Sequence, residues 1–210
     1  MKLFFAPPSP FARKVRVLVR ELNLTGKVTE LAVHTTPIAP DPEVTAANPL
    51  SKIPTLVLND GQVLFDSRVI SEYLMSVAAI RGACATLETG WEQRVDERER
   101  WGVLQRQALA DGILDAGLTH RYEMVLRPKE LHWPEWMDAQ VAKIERGLQQ
   151  MEKNVPTLGD QLKVDAIAFA CTLGWLEFRM PDIKWRETCP SLAMFFDAAS
   201  SRPSMAATRP

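Results

Sequence analysis

Three short segments in the first third of the chain carry side chains able to do chemistry. Ser9 stands directly before Pro10 and an apolar-periodic run, the order expected at the mouth of a helix. Unpaired N–H groups and about half a positive charge face outward at such a point, so a hydroxyl there can donate to an anion. Its plainer role is an N-cap with no further duty. Arg13, Lys14, Arg16 and Arg20 follow, cations that oppose the dipole in the first turns and indicate either a nearby anion or a solvated face.

The second segment is Asn48-Pro49-Leu50-Ser51-Lys52-Ile53-Pro54-Thr55. If the bond before Pro54 is cis, the backbone N–H and C=O of Ile53 turn outward as a pairing edge for an extended peptide; if it is trans, Pro54 merely starts an edge strand. The third is Asp66-Ser67 at another helix start. Ser67 can offer its hydroxyl and N–H to a carboxylate while Asp66 pairs with an ammonium, which together match the zwitterionic end of an amino acid. The same two residues also make an ordinary capping pair.

The elements that must position these groups are legible from punctuation and periodicity. Leu3 to Ala6 reads as a strand halted by Pro7 and Pro8, and Phe11, Val15, Leu18 and Leu22 then share one helical face. Val28 to Val33 is a second strand, and Pro37, Pro40 and Pro42 predict an irregular crossover after it. Thr55 to Leu58 and Val63 to Phe65 flank Asn59-Asp60-Gly61-Gln62, an antiparallel hairpin whose Asp-Gly pair suits positive φ. The helix opened by Asp66 and Ser67 has Val69, Ile70, Tyr73, Leu74 and Val77 as its apolar stripe.

The pattern lapses between Ala78 and Gly90, and everything beyond reads as helix. Trp91 to about His120 is a long charged helix or a bent pair, with Gly102, Gly112 and Gly117 as weak points. Met137, Val141, Ile144, Leu148 and Met151 form a clean stripe after Pro134, Val164 to Glu177 is apolar nearly all round, and Ser191 to Ala199 is a last helix carrying Leu192, Phe195 and Phe196.

Composition narrows the function classes. A formal net charge of -1 supplies no field to attract nucleic acid or anionic lipid. Cys84, Cys171 and Cys189 are scattered without a C-x-x-C pair or a histidine at ligand spacing, which speaks against zinc and against a disulfide framework. The opening apolar run is too short for a secretory or membrane-spanning segment, so a reducing cytoplasm is expected. His34, His120 and His132 are isolated and read as surface or structural residues.

Taken in this order, Ser9-Pro10-Phe11-Ala12-Arg13-Lys14, Asn48-Pro49-Leu50-Ser51-Lys52-Ile53-Pro54 and Phe65-Asp66-Ser67-Arg68-Val69-Ile70 running into Glu72-Tyr73-Leu74 resemble the glutathione S-transferase superfamily. Ala110-Asp111-Gly112-Ile113-Leu114-Asp115-Ala116 and Ile167-Ala168-Phe169-Ala170-Cys171 look like its bacterial YibF-like branch. The resemblance implies an α/β thioredoxin-like domain over residues 1–77, a linker over 78–87 and an all-α helical bundle over 88–210. It implies glutathione as cosubstrate with no metal, and a homodimer in which the Asp66-initiated helix faces the long charged helix of the partner.

Residue by residue, the resemblance makes Ser9 the catalytic group that hydrogen-bonds the glutathione sulfur. It gives Ile53 and a cis Pro54 to the cysteinyl backbone, Asp66 and Ser67 to the γ-glutamyl end and Lys52 to the glycyl carboxylate, with Phe11 and Arg13 completing the set. The thiol then attacks a hydrophobic electrophile in a pocket between the domains, to which Trp101, Leu104, Ala108, Asp111, Gly112 and Tyr122 contribute. The rival readings are a non-catalytic interaction module on the same fold and a glutathione-dependent lyase, dehalogenase or reductase; a serine at position 9 argues against thiol-disulfide exchange through an enzyme cysteine. Two departures stand out. The buried helix opens with Lys163 and Ala166, with Asp165 one place early, where the superfamily has Ser or Thr and an Asp three residues on, and no Leu-Pro marks the domain junction.

Overall fold

A computed structural model describes residues 1–80, 97–158 and 162–210. The chain divides into two compact units: the described residues up to Glu97 together with Arg202–Pro210, and those of Arg98–Ser201. The predicted linker falls largely on residues outside the described ones, as do Cys84 and Trp91.

The first unit is a four-stranded sheet in the order β2-β1-β3-β4, with β1 at Lys2–Phe5, β2 at Thr29–Ala32, β3 at Thr55–Val57 and β4 at Val63–Leu64. β1 runs parallel to β2 and antiparallel to β3, and β3 runs antiparallel to β4. Leu3, Phe4 and Phe5 are all buried, so β1 is covered on both faces, as its unbroken apolar run requires. Helix α1, Pro10–Glu21, buries Val15, Leu18 and the following Leu22, and packs on α3, Ser67–Ile80. The hairpin turn is as expected: Gly61 has φ 89°, and Asp60 Oδ1 accepts from Gln62 N–H at 3.0 Å.

Three expectations need correction here. The proline-rich crossover contains a short helix, α2 at Pro42–Ala47, because Asp41 caps it through Glu43 and Val44 N–H at 2.9 and 3.1 Å and Pro42 sits where no N–H is needed. Val69 lies on the outer side of α3 and is 48% exposed rather than part of the buried stripe. The C-terminal Arg202–Pro210, read as part of the helical half, folds with the first unit: α9, Pro203–Ala206, packs on α1, and Glu21 holds Arg202 Nη2 at 2.6 Å and the Ser204 hydroxyl.

The second unit is all-helical: α4 at Glu97–Leu126, α5 at Pro134–Asn154, α6 at Val164–Arg179, α7 at Trp185–Thr188 and α8 at Pro190–Ser200. α4 is continuous, where the sequence left open a bent pair. Gly117 is not a weak point but a contact: a Cβ there would run into the ring of Trp175 on α6. Gly147 of α5 likewise admits Ile113 of α4, whose Cγ1 would lie 2.5 Å from an added Cβ. The α6 start works without the usual cap. Lys163 makes no capping hydrogen bond; the fully buried Asp165 accepts from Ala166 N–H at 3.0 Å and pairs with Arg106 Nε at 2.8 Å.

Candidate functional site

Strand register gathers the three chemical segments of the first unit at one end of its sheet. Phe4 pairs with Thr55, so Ile53 and Pro54 lie just beyond the end of β1 from which the chain runs on to Ser9. Leu56 pairs with Leu64, which brings the end of β4, and with it Asp66 and Ser67, to the same edge. Two helices therefore begin at this edge, each presenting unpaired N–H groups.

Ser9 is the N-cap of α1, with φ -80° and ψ 116°, and its Oγ accepts from Ala12 N–H at 3.2 Å. Because that bond uses a lone pair, the O–H proton stays available to an acceptor above the helix end. Ser9 and Phe11 are half-buried. The Ile53–Pro54 peptide is cis, and the Phe65–Asp66 peptide is cis as well. Asp66 is exposed; its Oδ1 accepts from Arg68 N–H at 2.9 Å and its Oδ2 lies 3.9 Å from Arg68 Nε. Ser67 is 3% exposed, and its carbonyl accepts from the Ser71 hydroxyl at 2.7 Å. Lys52 projects into solvent.

Arg13 is placed otherwise than the sequence implied. It is buried at 6% exposure and its Nη2 donates to the Met205 carbonyl at 3.2 Å, so it faces the C-terminal segment. The anion that two of the neighbouring cations meet is one of the chain's own side chains. Arg16 and Arg20 converge on Glu30, Arg16 at 2.8 Å, and the Arg16 guanidinium lies 4.1 Å over the Phe5 ring. Burial alone would raise the Glu30 pKa, and the bonds from Arg20 and Arg16 bring it below the usual carboxylate value.

One positioning residue escaped the sequence reading. Asn48 is fully buried and braces the loop before β3: its Nδ2 donates to Lys52 O and Thr55 Oγ1, both at 3.0 Å, and its Oδ1 accepts from Leu50 N–H at 3.0 Å. Thr55 Oγ1 in turn donates to Lys52 O at 2.7 Å, and Ser51 takes a φ of 49°. That the Asn48 amide knits both ends of this loop becomes visible only with the β3 register.

On α4, the spacing of Trp101, Leu104, Ala108, Asp111, Gly112 and Tyr122 puts them along one face. Trp101 is 60% exposed, Ala108 and Gly112 are exposed, Leu104 and Tyr122 are half-buried, and Asp111 is buried. Burial raises the Tyr122 phenol pKa against the opposing charge of Arg121, which keeps its O–H protonated at neutral pH. His34 is exposed, His132 Nε2 bonds Arg127 O at 3.0 Å, and burial lowers the His120 pKa against Asp138. Among the described residues no group of His, Cys, Asp and Glu could hold a metal ion, and no helix is long and apolar enough to cross a membrane.

Residues 8–77 match the model of the glutathione S-transferase N-terminal domain and residues 134–198 that of the C-terminal domain. The whole chain is 35% identical to the uncharacterized GST-like protein YibF of Escherichia coli, covering 98% of it. A glutathione transferase family member from Pseudomonas fluorescens, crystallised with bound glutathione, is 42% identical with a TM-score of 0.90 over 100% of this chain and 98% of that one. A structure of a family member from that organism with bound S-(propanoic acid)-glutathione gives 41% identity and a TM-score of 0.86 over the same shares. A thioredoxin-like unit, a helical unit and relatives matched from end to end converge on one statement: the chain belongs to the glutathione S-transferase family.

Proposed function

We propose that the protein is a glutathione transferase in which Ser9 holds the glutathione sulfur as a thiolate. The observation that carries this reading is the Ser9 hydroxyl at the start of α1: it caps the helix through its oxygen and keeps its proton to donate, beside amides that favour negative charge. Ile53 presents its backbone to the cysteinyl unit, Asp66 and Ser67 receive the γ-glutamyl ammonium and carboxylate, and Lys52 approaches the glycyl carboxylate. Phe11 flanks the tripeptide, while Arg13 acts indirectly by tying the C-terminal segment to α1.

In the reaction the thiol gives its proton to solvent, the sulfur lone pair forms the new carbon–sulfur bond, and the electrophile's leaving group departs with its bonding pair. The enzyme supplies positioning and charge stabilisation. The exposed and half-buried members of the α4 face, Trp101, Leu104, Ala108, Gly112 and Tyr122, meet a hydrophobic electrophile. The relative that holds S-(propanoic acid)-glutathione supports a thioether-forming site, since its ligand already carries a carbon substituent on sulfur. We place the protein in the cytoplasm as a two-fold homodimer, with Val69 on the exposed side of α3 available to the partner.

Glutathione-agarose retention followed by product analysis with a chlorodinitrobenzene electrophile tests the reading. Retention with formation of the thioether is the expected result. Failure to bind would make the chain a non-catalytic module, and oxidised glutathione in place of the thioether would make it a reductase.

A further inference from the structure

Helix α1 has Ser9 at its start, and a segment far away in sequence grips it at two points. Arg202–Pro210 folds with the first unit and lays α9 against α1. At the far end of α1 the Glu21 carboxylate takes a two-point bond from Arg202, Nε at 3.1 Å and Nη2 at 2.6 Å, and a third from the Ser204 hydroxyl. Two turns earlier, Arg13 Nη2 donates to the Met205 carbonyl at 3.2 Å. The rise of an α-helix separates the two grips by about 12 Å along its axis.

The gripping segment is itself well fixed. Met205 and Thr208 are fully buried, and Thr208 Oγ1 donates to Ser204 O at 2.9 Å and to Met205 O at 3.3 Å, which closes the turn whose carbonyl receives Arg13. Burial alone would raise the Glu21 pKa, and the bonds from Arg202 and Ser204 bring it below the usual carboxylate value, so this clasp stays ionised through the range in which a thiol titrates.

Arg13 connects the segment to the cap through a single residue. Its side chain ends on Met205 while its backbone N–H donates to the Ser9 carbonyl at 2.9 Å, so a displacement of α9 is passed to the turn that Ser9 opens. Placement is decisive there, because an error of about 1 Å at a reacting group costs up to roughly 100-fold in rate, and a donor to negative charge acts from about 2.7–3.1 Å. We propose that Arg202–Pro210 is a positioning strap for the thiol site: its hold on Glu21 and Arg13 sets where α1 begins beneath the glutathione sulfur, and so how strongly Ser9 and the first amides favour a thiolate. Arg13, Glu21, Arg202 and Ser204 are positioning residues that act through Ser9 without touching the tripeptide. The strap rests on the assignment of Ser9 to the sulfur.

The test is ultraviolet titration of glutathione bound to the full-length protein, with kcat and KM for glutathione across pH and thermal melts. Arg202→Glu, which sets two carboxylates against each other, should raise the bound thiol's pKa by about half a unit or more and lower kcat by roughly threefold or more below the wild-type pKa, with KM changed by less than about twofold. Arg202→Gln leaves Glu21 its bond from Ser204 and should give a smaller shift in the same direction. The double variant Glu21→Arg, Arg202→Glu restores the ion pair and should return both readouts toward wild type. Gly147→Ala, which loosens the helical unit, should lower the melting temperature and leave the thiol pKa in place. If Ser9→Ala raises the thiol pKa while both Arg202 variants lower only the melting temperature, or if the charge swap leaves the Arg202→Glu shift unreversed, the strap is overturned and Ser9 keeps its role. An unmoved thiol pKa in Ser9→Ala would overturn the Ser9 assignment and the strap with it.

Discussion

Replacing Ser9 separates its two duties, because alanine and glycine differ as caps but agree in lacking a hydroxyl. A free cysteinyl thiol of pKa about 8.5 is roughly 3% ionised near pH 7, and lowering that pKa by about two units raises the thiolate fraction roughly 25-fold. Two units correspond to about 2.7 kcal/mol of differential stabilisation. A hydrogen bond to a charged group contributes about 1.5–3 kcal/mol, and a helix N-terminus about 0.3–1 kcal/mol at an accessible position. Ser9 is half-buried and in the proposed role donates one such bond to the sulfur, so the hydroxyl would account for the larger share. Losing it should raise the bound thiol's pKa by about one unit or more and slow turnover roughly tenfold at pH values below the wild-type bound-thiol pKa, with the deficit vanishing above the new one.

The cap bond to Ala12 N–H disappears in both variants. Alanine at that position costs about 1 kcal/mol of stability, glycine only a few tenths. Ultraviolet titration of bound glutathione, pH-rate profiles and thermal melts on the two variants therefore yield a pattern: equal shifts in thiol pKa and turnover, unequal shifts in melting temperature. If turnover instead tracked stability across wild type, Ser9→Gly and Ser9→Ala, Ser9 would be a cap alone and the assignment to the sulfur would fail.

Arg106→Leu leaves the Asp165 carboxylate buried without its partner and should lower stability by about 3 kcal/mol or more, read from the urea midpoint; restoration on adding Asp165→Leu would show that the charge, not the packing, was at stake. Gly147→Ala should destabilise by about 1–3 kcal/mol despite alanine's better helix propensity, since its Cβ meets Ile113 Cγ1 and Cδ1 at 2.5 and 2.7 Å, and the double variant with Ile113→Ala should lose less than the sum of the singles. Burial would raise the Glu152 pKa, but the N–H groups of Leu192 and Ser191, at 2.8 and 2.9 Å from its carboxylate, bring it below the ordinary value. Its stabilising contribution is therefore complete above the unfolded carboxylate pKa of about 4.3 and is lost as pH falls through the lower folded value; chemical denaturation across that window should show a shallower acid dependence in Glu152→Gln.

What was legible in the sequence was whatever is decided within a few residues. Ser9-Pro10 announces a cap and a first turn, Asp60-Gly61 a positive-φ turn, and the spacing Met137, Val141, Ile144, Leu148, Met151 a helical stripe of which the last three members are buried and the first two half-buried; in each, the physics acts over one turn of chain. Asp41-Pro42 carries the same cap signature, which the prolines around it mask. The sequence could not say which distant group a polar side chain would meet. Arg16 and Arg20 need Glu30 across a turn and a strand, and Arg13 finds a carbonyl at position 205. Gly117 reads as a helix breaker until Trp175 is seen against it.

This division bears on the candidate site itself. Ser9, Ile53–Pro54 and Asp66–Ser67 are each local signals of modest weight, a cap, a proline and a cap. They become one site only because antiparallel pairing of Phe4 with Thr55 and of Leu56 with Leu64 delivers all three to the same edge of the sheet. Asn48 makes that delivery rigid, since losing its amide would leave Lys52 O and Leu50 N–H without their brace in the loop that carries Ile53. The proposed chemistry therefore rests on residues that a motif can name, and their geometry on register and on a buried amide that no motif weight would single out.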